Sequence, residues 1–334
     1  MNKTLTLITL GALTLGVATA QTTYKMRVLK TDGSEIFYNT SEVKQVDFVE
    51  QSEEEQQQEQ QQEQGIKVFL SGDNPNYDGG CRVQTDRYTG PDGQCFLNYP
   101  QQLSNDPNVK HAVIIWGPGG GEKPGNYPNM INRLVSHGFI VLELKESPGD
   151  GYSAIKAIDW LEQKNNDASF PLAGKMILDR VGCTGHSMGG LESEQAWLMD
   201  KRVYTAVLNN SGSFSHDAIA QMKDGKSICV VYGEAGMERD NAVGDYNNWG
   251  VSCPAVLLEL TGGPDQGEGG YGHGSGPWTG HAATCAWMRW HLGHESFIKD
   301  DFTTQNGAFI NGNIVGAQGK WKGQYKNWDN WVEK

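Results

Sequence analysis

The sequence predicts an α/β fold, a mostly parallel sheet with helices on both faces. Three observations carry this. Strand-length apolar runs (Ala112-Val113-Ile114-Ile115, Phe139-Ile140-Val141-Leu142, Val230-Val231-Tyr232) alternate with segments whose apolar residues recur at helical spacing, such as Ala154, Ile155, Ala157, Ile158 and Leu161. The runs are apolar throughout, as expected of strands covered on both faces. One of them, ending Val181-Gly182-Cys183-Thr184-Gly185, enters the turn His186-Ser187-Met188-Gly189-Gly190 ahead of a helix beginning near Leu191.

Taken in order, residues 1–20 pair a charged start (Lys3) with an apolar run from Leu5 to Val17 and end in Ala18-Thr19-Ala20, the form of an export signal cleaved after Ala20. Such a run is too short to span a bilayer. Residues 21–49 alternate apolar and polar positions around Asp32-Gly33, predicting a small β-hairpin module. It resembles short leader modules in front of many exported proteins and implies cell-surface or periplasmic association. Residues 50–65, almost all Gln and Glu, cannot bury enough surface to offset ordering and read as a disordered linker. The main domain is expected over 66–334. Its strands are expected at Val109–Trp116, Phe139–Leu144, the elbow run, Thr205–Asn209, Ser227–Gly233 and Ala255–Leu260. Its helices are expected at Pro128–His137, Ser153–Gln163, His216–Lys223 and His281–Leu292.

A formal net charge of −13 without a basic patch argues against nucleic acid and anionic membrane as partners. No other apolar run suits a membrane helix. Export would permit disulfides among Cys81, Cys95, Cys183, Cys229, Cys253 and Cys285. Cys81–Cys95, bracketing a turn-rich loop, is the favoured pair and Cys229–Cys253 the second, with Cys183 and Cys285 as core thiols. No Cys/His spacing suits zinc, so no metal is expected.

Chemistry is sought first at Gly185-x-Ser187-x-Gly189, where small flanking residues allow a strained turn that lifts the hydroxyl clear of the sheet. Eighteen serines and 43 glycines supply about 0.3 such matches by chance, so context must carry it. Acyl transfer by serine needs a base, a group to orient that base, and donors for the developing oxyanion. His273 lies in the glycine-rich segment after the strand ending at Leu260 and is the candidate base; His281 is the fallback. The amide of Met188 and one near Gly120, in Gly117-Pro118-Gly119-Gly120-Gly121, are the candidate oxyanion donors.

Val113 to Gly121, Ser136-His137-Gly138-Phe139-Ile140-Val141, Gly185 to Gly190 and Ala286-Trp287-Met288 together resemble the dienelactone-hydrolase-like branch of the α/β-hydrolases. Within it they are similar to bacterial cutinases and poly(ethylene terephthalate) hydrolases, and to chlorophyllase-like and platelet-activating-factor acetylhydrolase-like relatives. The resemblance spans about residues 66–295 and implies cofactor-free carboxylic-ester hydrolysis. It also implies an Asp just beyond Val230-Val231-Tyr232-Gly233. That position holds Gly236, which leaves Glu238 as the favoured acid, with Glu234, Asp240 and Asp217 as alternatives. Trp116 and Trp278 are expected to line the substrate cleft, with Tyr127 and Trp249 near it. The tryptophan-rich end (Trp321, Trp328, Trp331) reads as a tail packed over the domain. A secreted serine esterase acting on small esters, polyesters or plant cell-wall esters is the expectation. A catalytically silent glycan- or partner-binding scaffold is the alternative.

Overall fold

The computed structural model describes residues 66–213, 226–248, 250–264 and 269–329, with the backbone of 25–29 and 35–39. The export segment, the Gln/Glu tract, the helix expected at 216–223 with Asp217, Trp249 and Trp331 lie outside the described residues. The chain divides into two compact units, Met1–Glu63 and Gln64–Lys334. In the first, β1 (Lys25–Leu29) and β2 (Glu35–Asn39) pair antiparallel, with Met26 opposite Tyr38 and Val28 opposite Ile36.

The second unit is built on a ten-stranded mixed sheet. Its strands are β3 (Lys67–Val68), β4 (Val83–Thr89), β5 (Cys95–Pro100), β6 (Val109–Gly117), β7 (Ile140–Glu143), β8 (Met176–His186), β9 (Val203–Asn209), β10 (Ser227–Gly233), β11 (Ala255–Thr261) and β12 (Lys320–Lys326). They lie in the order β12-β11-β10-β9-β8-β6-β7-β5-β4, with β3 beside β6. The run from β11 to β7 is parallel; β12, β5 and β4 join antiparallel. Among the helices are α1 (Pro128–Ser136), α2 (Tyr152–Asn165), α3 (Met188–Met199), α4 (Arg239–Asn247), α5 (Ser275–Trp278) and α6 (His281–Gly293).

The continuous apolar runs have a direct physical reading, since successive side chains of a strand point to opposite faces. Val113 and Ile115 of β6 belong to the core on one face, and Ala112, Ile114 and Trp116 to the core on the other. The β10 strand divides in the same way, Ile228, Val230 and Tyr232 against Cys229 and Val231. Full burial of a side chain of this size contributes about 1.5–3 kcal/mol, so both faces must be covered by helices.

The chain leaves β6 for β7 on one side and then returns to place β8 on the other. The carboxyl ends of β6 and β8 therefore sit together, with Gly117 paired to Gly185. Ligand sites of parallel sheets form where the strand order reverses in this way. The glycine-rich loop after β6 and the turn after β8 share that crevice.

Several expectations are corrected. The strand at Ala255–Thr261 is not the last: Lys320–Lys326 adds an antiparallel edge to it. The helix after β8 starts at Met188, three residues before the expected Leu191. All six cysteines are free. Register explains why Cys81–Cys95 does not form: Val83 faces Pro100 and Thr89 faces Cys95, so Cys95 lies at the far end of β4. At about 3.4 Å per residue that is roughly 20 Å, against the Cα separation below about 7 Å that a disulfide needs. Cys229 pairs with Val256, leaving Cys253 three positions out of register.

Candidate active site

Ser187 stands at the apex of the turn between β8 and α3, with φ 53° and ψ −116°. A non-glycine residue in this region is strained by about 1–3 kcal/mol and persists only where its surroundings impose it. Here the surroundings are glycines. A Cβ at Gly185 would lie 2.3 Å from the Gly189 carbonyl oxygen, one at Gly189 only 1.9 Å from the Gly117 carbonyl oxygen, and one at Gly190 2.3 Å from Ser211 Cβ. The main chain after the turn is thus pressed against β6 and the β9 end. The Ser187 amide donates to the Asn209 carbonyl (3.0 Å), and Ser211 Oγ donates to the Ser187 carbonyl (2.7 Å). Ser187 lines a cavity of about 270 Å³ together with Met188, Leu191, Gly212, Met237 and His273.

Ser187 and His273 both line that cavity without a direct hydrogen bond between their side chains, and His273 Nδ1 lies 2.6 Å from Glu238 Oε2. Glu238 is only 5% exposed. Burial pushes its carboxyl pKa up, but the hydrogen bonds from His273 and Asn210 outweigh this and hold it below the usual carboxylate range. The carboxylate is therefore ionised and accepts the Nδ1 proton, which leaves Nε2 free to act as a base. The substitution of glycine for the expected Asp has a steric consequence here. A Cβ at Gly236 would lie 2.2 Å from Glu238 Oε1, so the Glu238 carboxylate occupies the space that a side chain at position 236 would fill.

The other acids are elsewhere. Glu234 accepts from Thr261 Oγ1 (2.6 Å) and the Gly263 amide (3.1 Å) and secures the turn after β11. Asp240 is exposed in the first turn of α4. His281 opens α6 away from the Ser187 cavity, where burial pushes its pKa down to about 4.

Met188 is the first residue of α3, so its amide has no acceptor within the helix. Gly120 adjoins it; a Cβ there would lie 3.3 Å from Met188 Cγ. The neighbouring Gly119 amide is engaged by Tyr127 Oη at 2.9 Å, whereas the Gly120 and Gly121 amides have no acceptor among the described residues. The Met188 and Gly120 amides lie close together among the amides of this region without an acceptor, as a pair of oxyanion donors would.

Trp116 is not a cleft residue. It is fully buried, packed on Tyr127 at 5.0 Å, because its alternation along β6 points it into the core. Tyr127 is also buried. Trp278 is 45% exposed and borders a second cavity, of about 670 Å³, together with His273, Tyr271 and Gln318. Trp321 and Trp328 are buried, Trp321 as part of β12 within the sheet rather than in a tail laid over the domain.

Sequence reasoning missed Asn210. Its Nδ2 donates to Glu238 Oε1 (2.7 Å) and lies 3.3 Å from the Gly272 carbonyl, while its Oδ1 accepts from the Gly276 amide (2.6 Å). It holds the acid and both flanks of His273 at once. Its only sequence signal is position, immediately past β9.

Among the described residues, no group of three or more His, Cys, Asp or Glu is placed to hold a metal ion, and no helix is long and apolar enough to cross a membrane. No protein-family model matches the chain, and no curated protein matches it.

Proposed function

We propose that this protein is an exported serine carboxylic-ester hydrolase of the α/β-hydrolase class, in its dienelactone-hydrolase-like branch. The strand order, with the nucleophile turn after β8 beside the glycine-rich loop after β6, supports the class. One observation carries the activity: a strained Ser187 shares a cavity with His273, whose other nitrogen is bound by the buried Glu238 carboxylate.

The reaction follows from these groups. Ser187 Oγ attacks the ester carbonyl carbon as its proton passes to His273 Nε2. The carbonyl oxygen gains charge between the Met188 and Gly120 amides. Collapse breaks the bond to the alcohol, which leaves with the proton from His273. Water then attacks the acyl-serine, His273 accepts its proton and returns it to Ser187, and the acid departs. Glu238 stays ionised throughout, fixing the ring tautomer and stabilising the imidazolium. The cavity beside Ser187, about 270 Å³ and edged by Met188, Leu191 and Met237, suits a short acyl group. Carboxylic esters, including small soluble, polyester and cell-wall esters, are the substrate class.

The test is hydrolysis of p-nitrophenyl acetate and tributyrin by the wild type and by Ser187→Ala. The wild type should turn over both, and Ser187→Ala should lose at least about 10³-fold in kcat. Equal rates for the two proteins remove Ser187 from the reaction.

A further inference from the structure

His186, the residue before the nucleophile, reaches two loops at once. Its Nε2 lies 2.7 Å from the His273 carbonyl oxygen, and its Nδ1 lies 3.0 Å from Tyr127 Oη. Tyr127 Oη in turn accepts from the Gly119 amide at 2.9 Å. His186 and Tyr127 are 8% and 2% exposed, so water does not compete freely for these bonds. Gly119 fits against both only because it lacks a side chain: a Cβ there would lie 2.8 Å from His186 Nδ1 and 3.0 Å from Tyr127 Oη.

The proton positions follow by elimination. A backbone carbonyl only accepts, so His186 Nε2 carries a proton and donates to His273. Burial drives the His186 pKa below its usual value, which keeps the ring neutral and Nδ1 an acceptor. Tyr127 must then donate its own proton to Nδ1 while accepting from Gly119. The result is a single directed chain: Gly119 N–H to Tyr127 O–H to His186, and His186 N–H to the His273 carbonyl. Bonds aligned in this way polarise one another.

We propose that His186 and Tyr127 are positioning residues, a clamp that sets the distance between the oxyanion loop and the loop carrying the base. This rests on the esterase reading above. His186 is covalently next to Ser187, so it references both loops to the nucleophile itself. Neither clamp side chain hydrogen-bonds to Ser187 Oγ or to the His273 ring, although the His186 ring packs beside that ring with centroids 4.8 Å apart. A misplacement of about 1 Å at such a site costs on the order of 10²-fold in rate.

The experiment measures p-nitrophenyl acetate kinetics for the wild type, His186→Leu, His186→Gln, Tyr127→Phe and the double variant His186→Leu/Tyr127→Phe. His186→Leu should lower kcat about 10- to 100-fold with KM within about threefold, because geometry rather than ground-state binding is lost. The Gln carboxamide supplies one N–H donor and one oxygen acceptor, so His186→Gln should recover most of the rate, to within about fivefold of wild type. Tyr127→Phe should add little in the His186→Leu background, since the two act through one chain.

Three outcomes overturn the clamp: His186→Leu within about twofold of wild type, His186→Gln no better than His186→Leu, or effects that multiply in the double variant. Should His186→Leu not fold, His186→Gln and Tyr127→Phe decide the matter. Imidazole ¹⁵N NMR gives a readout independent of ester hydrolysis, and it should show His186 as the neutral Nε2–H tautomer. A ring carrying its proton on Nδ1 overturns the clamp whether or not the protein cleaves esters. A wild type that cleaves no ester defeats the esterase reading and the clamp's kinetic role with it, and the tautomer alone then decides whether the clamp exists as a structure.

Discussion

Glu238 illustrates how much one residue depends on what is missing beside it. Its carboxylate reaches His273 because Gly236 leaves the space open, and Asn210 fixes its second oxygen. Glu238→Gln keeps the shape but offers an N–H where the His273 Nδ1 proton needs an acceptor. The expected result is a fall in kcat of about 10³- to 10⁴-fold with the fold intact, measured by ester kinetics and circular dichroism. Unchanged kinetics would assign the orienting role elsewhere. Ser187 and His273 were legible as candidates because a motif and a loop position mark them. Glu238 was legible only as a carboxylate just past the position of an absent Asp, with a side chain long enough to reach back, and Glu234 is equally near in sequence. Asn210 carried no signal beyond its position past β9, since its partners Glu238, Gly272, Ser275 and Gly276 come from distant segments. Trp116 misled because β6 is buried on both faces, and the sequence pattern does not say which end of a strand reaches the surface.

At the scale of elements, the β8–α3 elbow is held by backbone contact rather than by side chains. The Gly189 main chain packs directly on the Gly117 carbonyl. Gly189→Ala places a methyl group where no movement of a flexible side chain can relieve it, so β6 and α3 must separate. A loss above about 4 kcal/mol, read as failure to fold or a large drop in Tm, is the expected outcome. Ala at Gly93, which has open space around it but a positive φ of 70°, should cost far less, about 1 kcal/mol. The strands β6 to β11 were legible because parallel strands buried on both faces are uniformly apolar. The β4, β5 and β12 strands were not. β4 and β12 are mixed in polarity and lie at the sheet edges, where one side of the backbone meets no further strand. Their pairing is decided by neighbours distant in sequence.

At the scale of the whole molecule, an ionisable group at odds with its surroundings bears on stability. Glu194 of α3 is fully buried, and neither carboxylate oxygen has a hydrogen-bond partner. Burial raises its pKa, and the negative charge of Asp245 adds to the effect. A folded pKa above the unfolded value means that the protonated form favours folding, so its stabilising contribution is present in acid and is lost as pH rises beyond the ordinary carboxylate range. Tm should therefore decline from about pH 5 to about pH 8, and Glu194→Gln should flatten that decline by several degrees. An identical pH slope in the variant would show that Glu194 does not titrate between the two states. Ester hydrolysis itself should change little, because Glu194 does not line the Ser187 cavity. The central claim is that a strained serine at the β8–α3 turn is an activated nucleophile, and covalent labelling by a fluorophosphonate probe tests it most directly. A single adduct is expected on the peptide containing Ser187, lost in Ser187→Ala and strongly slowed in His273→Ala. No adduct on Ser187, or labelling at an undiminished rate without His273, would contradict it.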